Sequence, residues 1–256
     1  DFVFSTFEKL MKILYKEIWG KELETPIPRL TFEEAMTRYG SDKPDLRFDL
    51  KMSTLNGVFA NTEFRVFKDT IETKGIITGL VAPGCGDYTR NQLDVITDFI
   101  KKQGAGGLIW IRVKEDGLES PTMKFFTDEE KIAMVEELGA KPGDLILILS
   151  GKKYKTLGLM GNLRLEMSRR LNLVTDETEP KLLWVKDFPL FEWDEETNRY
   201  YAMHHPFTSP NMEDLALMDT NPAAVRAQAY DLVLNGNEIA GGSIRIHDSE
   251  LQAKMF

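Results

Sequence analysis

The chain has 256 residues, enough to bury a sizeable core and to form two domains. Its 41 acidic residues outnumber 32 basic ones, a net charge of −9 that argues against wholesale nonspecific binding to nucleic acid but leaves room for a local basic surface. One cysteine, Cys85, excludes a disulfide framework and a cysteine zinc site, and no run approaches 18 apolar residues, so no membrane-spanning helix is predicted.

In chain order, residues 4–19 place Phe7, Leu10, Leu14 and Ile18 at helical spacing, widened by Met11 and Tyr15, which predicts a core-packing helix stopped by Gly20. It carries acids and lacks a basic start, so it does not read as a targeting segment. Thr31 reads as an N-cap with Glu34 as its capping-box partner, opening a short helix that ends near Gly40. The charged cluster SDKPDLRF follows, a salt-bridged turn by composition. Residues 51–175 read as an α+β module of their own. It has strand patterns at 64–67, 75–81, 107–113 and 145–149. Its helices fall at 90–103, at 127–139 behind a Thr127/Glu130 capping box with Ile132, Val135 and Leu138 inward, and at 155–171. Gly104, Gly106 and Gly107 form no dinucleotide or Walker fingerprint, so GAGG reads as a helix stop and PGCG as a turn. From 152 to 170 six cations, Lys152, Lys153, Lys155, Arg164, Arg169 and Arg170, face one acid, Glu166, which suggests contact with an RNA backbone.

From 181 the pattern is of strands, two of them joined through DEETN and interrupted at Asp187-Phe188-Pro189, with a mostly buried aromatic cluster. The histidine pair His204-His205 precedes Pro206. Adjacent histidines in a strand face opposite ways, so one of them looks into any given pocket, and the remaining His247 lacks zinc-site spacing. Asn235-Gly236 marks a hairpin whose return strand carries Glu238, Gly241, Gly242 and Arg245. Two glycines in a strand make sense where a ligand or another backbone lies close above them. Arg245 has the fork geometry that suits a carboxylate or phosphate. Strict alternation sets Glu238 opposite to Arg245; a bulge near the glycines would bring both to one site.

Three blocks in order, RLTFEEAMTRYGSDKPDLRFDL at 29–50, YAMHHPFTSP at 201–210 and AYDLVLNGNEIAGGSIRIHDSELQAKMF at 229–256, resemble the bacterial-type aspartyl-tRNA synthetases, class II aminoacyl-tRNA synthetases. The resemblance implies an α+β fold: the class II antiparallel-sheet catalytic domain, in two parts at 1–50 and 176–256, with a separate inserted α+β domain at 51–175. It implies a cytoplasmic ligase that activates L-aspartate with ATP and Mg2+ and passes it to tRNA. The positions matching His204 and Arg245 contact aspartate, with His205 in support. Glu238 serves ATP and magnesium, and Gly241 and Gly242 keep the floor of the site low. Neither end reads as natural. The family's second and third signature motifs and its anticodon-binding barrel are not found, so the chain reads as the middle of a longer, homodimeric enzyme and as inactive alone. The alternatives are a non-enzymatic RNA-binding or scaffold protein with a degenerate half-site, and a synthetase that also charges asparagine tRNA.

Overall fold

The computed structural model describes residues 2–256, which form two compact units. The two ends of the chain, up to Glu33 and from Pro180 to Phe256, make one; the continuous stretch Glu34–Glu179 makes the other. No helix among the described residues is long and apolar enough to cross a membrane.

In the first unit, helix α1 (Phe2–Trp19) precedes strand β1 (Arg29–Thr31), and Thr31 stands at the N-cap position of α2 (Phe32–Tyr39). The predicted helix is present, but its buried face is rotated from the predicted stripe. Met11 and Tyr15 are buried, whereas Phe7, Leu10, Leu14 and Ile18 are each more than a third exposed. The deciding interaction is with Trp184, which is 1% exposed and packs with Phe4, Met11, Tyr15, Ile27 and Leu232. Tyr15 also donates its hydroxyl hydrogen bond to the Pro180 carbonyl, 3.1 Å away.

The second unit holds β2 (Met52–Thr54), α3 (Arg65–Glu72), β3 (Ile76–Ala82), α4 (Arg90–Lys102), β4 (Ile109–Lys114), β5 (Gly117–Glu119), α5 (Asp128–Leu138), β6 (Leu145–Gly151) and α6 (Lys153–Arg170). Its antiparallel sheet runs β2-β3-β6-β4-β5, so the continuous apolar run of β6 lies at its centre. Residues 64–67, predicted as a strand, instead open α3: Phe64, Phe67 and Ile71 pack at helical spacing against Phe59 and Phe126, and Val66 points outward. The Thr127/Glu130 capping box forms as predicted, and Gly139 adopts the left-handed C-cap conformation at φ +62°. Ile132 departs from its predicted inward position; it is exposed and Met134 is buried in its place.

This unit starts at Glu34 rather than near 51, because α6 holds the segment before β2. Arg164, only 1% exposed, donates to the carbonyls of Leu50, Asp45 and Phe48 at 2.6, 2.8 and 3.0 Å. Its guanidinium also lies over the rings of Phe48 and Tyr39. Gly40 and Gly161 meet backbone to backbone: a Cβ on Gly161 would stand 2.3 Å from the Gly40 carbonyl oxygen.

Back in the first unit, β7 (Leu182–Lys186), β10 (Ala229–Leu234) and β11 (Asn237–Ser243) join β1 in a sheet of order β1-β7-β10-β11, parallel only at β1-β7. The predicted pair of strands after 181 is in fact three. β8 (Phe191–Asp194) and β9 (Arg199–Ala202) form a separate hairpin, because Asp187, at φ +57°, turns the chain out of β7. Trp184 and Phe188 are buried as predicted, but Trp193 and Tyr200 on the hairpin are exposed. Short helices occupy 212–224, including α7 (Leu217–Thr220), and α8 (Ser249–Met255) is capped by Asp248, whose carboxylate accepts from the Leu251 amide at 2.8 Å.

Candidate active site on the β10–β11 hairpin

Asn235 (φ +53°) and Gly236 (φ +80°) form the two-residue turn that their sequence demands, since both take left-handed conformations. That turn pairs Leu234 with Asn237 and Val233 with Glu238. The register then shifts: Leu232 faces Ala240, leaving Ile239 as an extra residue, and Asp231 faces Gly241. A bulge of this kind moves the following side chains to the opposite face.

Its consequence is seen at Gly241. A Cβ there would stand 2.5 Å from Asp231 Oδ1 and 3.0 Å from Glu238 Oε1, so both carboxylates reach over the same glycine. Two like charges converging on a spot without a side chain disfavour each other's ionised form and attract positive charge. Asp231 was missed in the sequence, where only alternation spoke for it; without the bulge it would face Ala240. No group of three or more His, Cys, Asp or Glu side chains that could hold a metal ion occurs among the described residues.

Gly242 serves the opposite face. A Cβ on it would meet the Tyr230 ring at 3.1 Å, and Tyr230 stacks edge-on with Phe4 and Trp184. The expectation that both glycines form one floor is therefore corrected: Gly241 faces the carboxylates, and Gly242 makes room for the aromatic core. On that aromatic side a cavity of about 190 Å3 is lined by Lys186, Asp187, Asn211, Gln228 and Tyr230, among others. Asn211 donates to Asp187 Oδ1 at 3.0 Å, and Lys186 pairs with the other oxygen of that carboxylate.

The histidine block and the arginine block lie side by side. The Ser209 amide donates to the Ile244 carbonyl at 2.8 Å, the Ile246 amide donates to the Phe207 carbonyl at 2.9 Å, and Thr208 lies opposite Arg245. The Thr208 and Ser243 hydroxyls are 3.2 Å apart, fastening the same register. Arg245 is exposed and makes no ion pair among the described residues. His204 packs edge-on against Phe188 with ring centroids 5.0 Å apart. His205 accepts the Phe207 amide at Nδ1, 3.1 Å away, which leaves its proton on Nε2 and ties the ring to the turn.

Behind this block Arg226 grips Asp214, with Nε 2.8 Å and Nη2 2.9 Å from its carboxylate. Those bonds hold the Asp214 carboxyl below its usual range and raise the Arg226 guanidinium.

The basic run of the second unit does not form one surface. Arg164 is a buried clamp, its pKa pushed down by burial to about 10 and still cationic at neutral pH, so it is withdrawn as an RNA contact. Lys152, Lys153 and Lys155 sit at one end of α6. Arg169 and Arg170 sit at the other, both paired with Glu166. An 18-residue helix sets these ends roughly 27 Å apart.

The family model "tRNA synthetases class II (D, K and N)" matches residues 1–256. The chain is similar to the "Aspartate--tRNA ligase" of Clostridium perfringens, 48% identical over 256 residues, all of this chain and 43% of the relative. It is 51% identical to the protein of that name from Porphyromonas gingivalis over 99% of this chain and 43% of the relative. It is 46% identical to the "Aspartate--tRNA(Asp/Asn) ligase" of Desulfatibacillum aliphaticivorans over 97% and 42%. The chain thus spans less than half the length of these relatives. With an α+β fold and a match along its whole length, it belongs to the class II tRNA synthetases (D, K and N).

Proposed function

We propose that the whole protein is an aspartate–tRNA ligase. It would join L-aspartate to ATP as an aspartyl adenylate, releasing pyrophosphate, and pass the aspartyl group to tRNA. The observation that carries this reading is the hairpin: two carboxylates converge over Gly241, and Arg245, without an ion pair among the described residues, stands in register with Thr208 further along the same edge.

Asp231 and Glu238 are the residues that would hold magnesium, and Gly241 is the cradle that lets them converge. A bound magnesium supplies charge neutralisation for the ATP phosphates. Arg245 selects the side-chain carboxylate by a bidentate pair; the amide of asparagine would leave donors mismatched, and a buried mismatch is costly. His204, held edge-on by Phe188, lines the amino-acid end, and His205 shapes the turn that presents it. Placement and electrostatics rather than covalent catalysis carry the rate. In this reading the protein is a cytoplasmic homodimer, and the Glu34–Glu179 unit is an insertion in the catalytic domain.

The test is aspartate-dependent ATP–pyrophosphate exchange by the full-length protein with magnesium. Exchange with aspartate and not with asparagine is expected, and Arg245→Ala lowers it by at least about 100-fold. Absence of exchange, or equal exchange with asparagine, overturns the reading. The 256-residue chain alone is expected to give none. Charging of aspartate tRNA and asparagine tRNA side by side decides between the two kinds of relative.

A further inference from the structure

Pro206 follows the histidine pair and leads into the segment that lies beside Arg245. No backbone amide among the described residues donates to its carbonyl. The carbonyl accepts instead from a side chain 46 residues away, Gln252 on α8, whose Nε2 donates at 2.9 Å. We propose that Gln252 is a positioning residue of the aspartate site, setting the angle at which the histidine turn meets the strand of Arg245. The proposal rests on the ligase reading and adds to it a residue that acts through the turn rather than on the substrate.

Three observations carry it. First, the turn depends on hydrogen bonds. His204, His205 and Phe207 are all exposed, so burial does little to hold it. Two bonds brace it from within: the Phe207 amide donates to His205 Nδ1 at 3.1 Å, and the Thr208 amide donates to the His205 carbonyl at 3.0 Å. At Pro206 the ring fixes φ and removes the N–H, so ψ, and with it the direction of the carbonyl, is the backbone freedom left there. The Gln252 bond fixes that direction from outside the turn.

Second, Gln252 and Arg245 share one short, ordered connection. The Ile246 amide donates to the Phe207 carbonyl at 2.9 Å. Asp248 then caps α8, its carboxylate accepting from the Leu251 amide at 2.8 Å, and the Gln252 amide donates to the Asp248 carbonyl at 3.0 Å. The arginine and the glutamine amide are therefore held in one piece, and both reach the same turn. Third, α8 is docked by other contacts as well. Phe256 lies edge-on to Phe207 with ring centroids 6.0 Å apart, and Lys254 pairs with Asp219 of α7. Loss of the Gln252 bond alone leaves the helix in place and frees the Pro206 carbonyl.

Aspartate gripped by Arg245 and lined by His204 is held from both blocks, so its binding depends on how they are placed relative to each other. ATP and magnesium, on the Asp231–Glu238 side, do not depend on that angle.

The test has two arms. In the 256-residue chain, amide hydrogen exchange is followed by NMR in the parent and in Gln252→Met, which keeps the side-chain length and removes the donor. Exchange at Phe207 and Thr208 is expected to speed up at least about threefold, with the amides of β10 unchanged. In the full-length protein, pyrophosphate exchange is measured as a function of aspartate and of ATP. Gln252→Met and Gln252→Ala should both raise KM for aspartate at least about threefold and leave KM for ATP within about twofold. Lys254→Ala, which releases an exposed ion pair on the same helix, should move neither by more than about twofold. An aspartate KM unchanged in Gln252→Met, or an equal rise in both KM values, overturns the proposal and leaves the ligase reading standing. Unchanged amide exchange at Phe207 and Thr208 also overturns it. A parent enzyme that gives no pyrophosphate exchange overturns the ligase reading, and the aspartate role of Gln252 with it.

Discussion

At the scale of single residues, two side chains show how burial reassigns a charge. Arg164 looks in sequence like one more cation in a basic run, yet it satisfies three carbonyls of the 45–50 segment. Arg164→Met should therefore cost about 3 kcal/mol of stability in urea denaturation, since each orphaned buried acceptor carries its own desolvation penalty. A surface RNA contact would instead give a stable variant with weaker RNA binding. Gly241 is the complementary case, a residue defined by what it lacks. In the full-length protein Gly241→Ala pushes a methyl into the space between Asp231 and Glu238. It should lower pyrophosphate exchange at least about 100-fold with a near-native melting temperature. Exchange close to the parent's rate would show that the two carboxylates do not act together.

At the scale of elements, the β10–β11 bulge and the rotation of α1 carry the argument. Removing Ile239, the extra residue, leaves Val233 opposite Glu238 and Asp231 opposite Gly241 in plain alternation, so both carboxylates keep one face. The hairpin should persist by circular dichroism, and magnesium-dependent exchange by the full-length protein should be retained within about tenfold. Loss of exchange in the folded variant would show that the two carboxylates need the local twist of the bulge as well as a shared face. On α1 the two stripes separate cleanly in the 256-residue chain. Met11→Ala should cost about 2–5 kcal/mol, whereas Ile18→Ser, at an exposed position, should change stability by less than about 0.5 kcal/mol. The reverse order would restore the stripe predicted from spacing alone.

At the scale of the molecule, each unit contains an acid held ionised by an arginine. Burial raises the Asp45 carboxyl, but the bidentate bond and charge of Arg47, with Arg164 nearby, outweigh it and leave the pKa lowered. Asp214 is lowered by Arg226 in the other unit. A carboxyl whose folded pKa lies below its unfolded value stabilises the fold above the unfolded value, near 3.8, and loses that contribution as pH falls through the folded one. Both units should therefore lose stability on acidification below about pH 4. Asp45→Asn should flatten that loss in the second unit, as followed by the exchange protection of its amides. An unchanged acid profile in this variant would place the titration elsewhere.

Sequence alone determined the features that depend on neighbours along the chain: the Thr127/Glu130 capping box, the Asn-Gly turn, the central apolar strand predicted at 145–149, and family membership through three ordered blocks. Those signals are short-range, and local sterics and hydrogen bonds settle them. Tertiary structure decided which side of α1 is covered, because Phe7 and Met11 are equally apolar and only the placement of Trp184 chooses between them. It made a helix of 64–67, where aromatic packing outweighs β propensity. It also found Asp231, since a one-residue shift on the facing strand selects its partner, and no pattern within either strand records that shift.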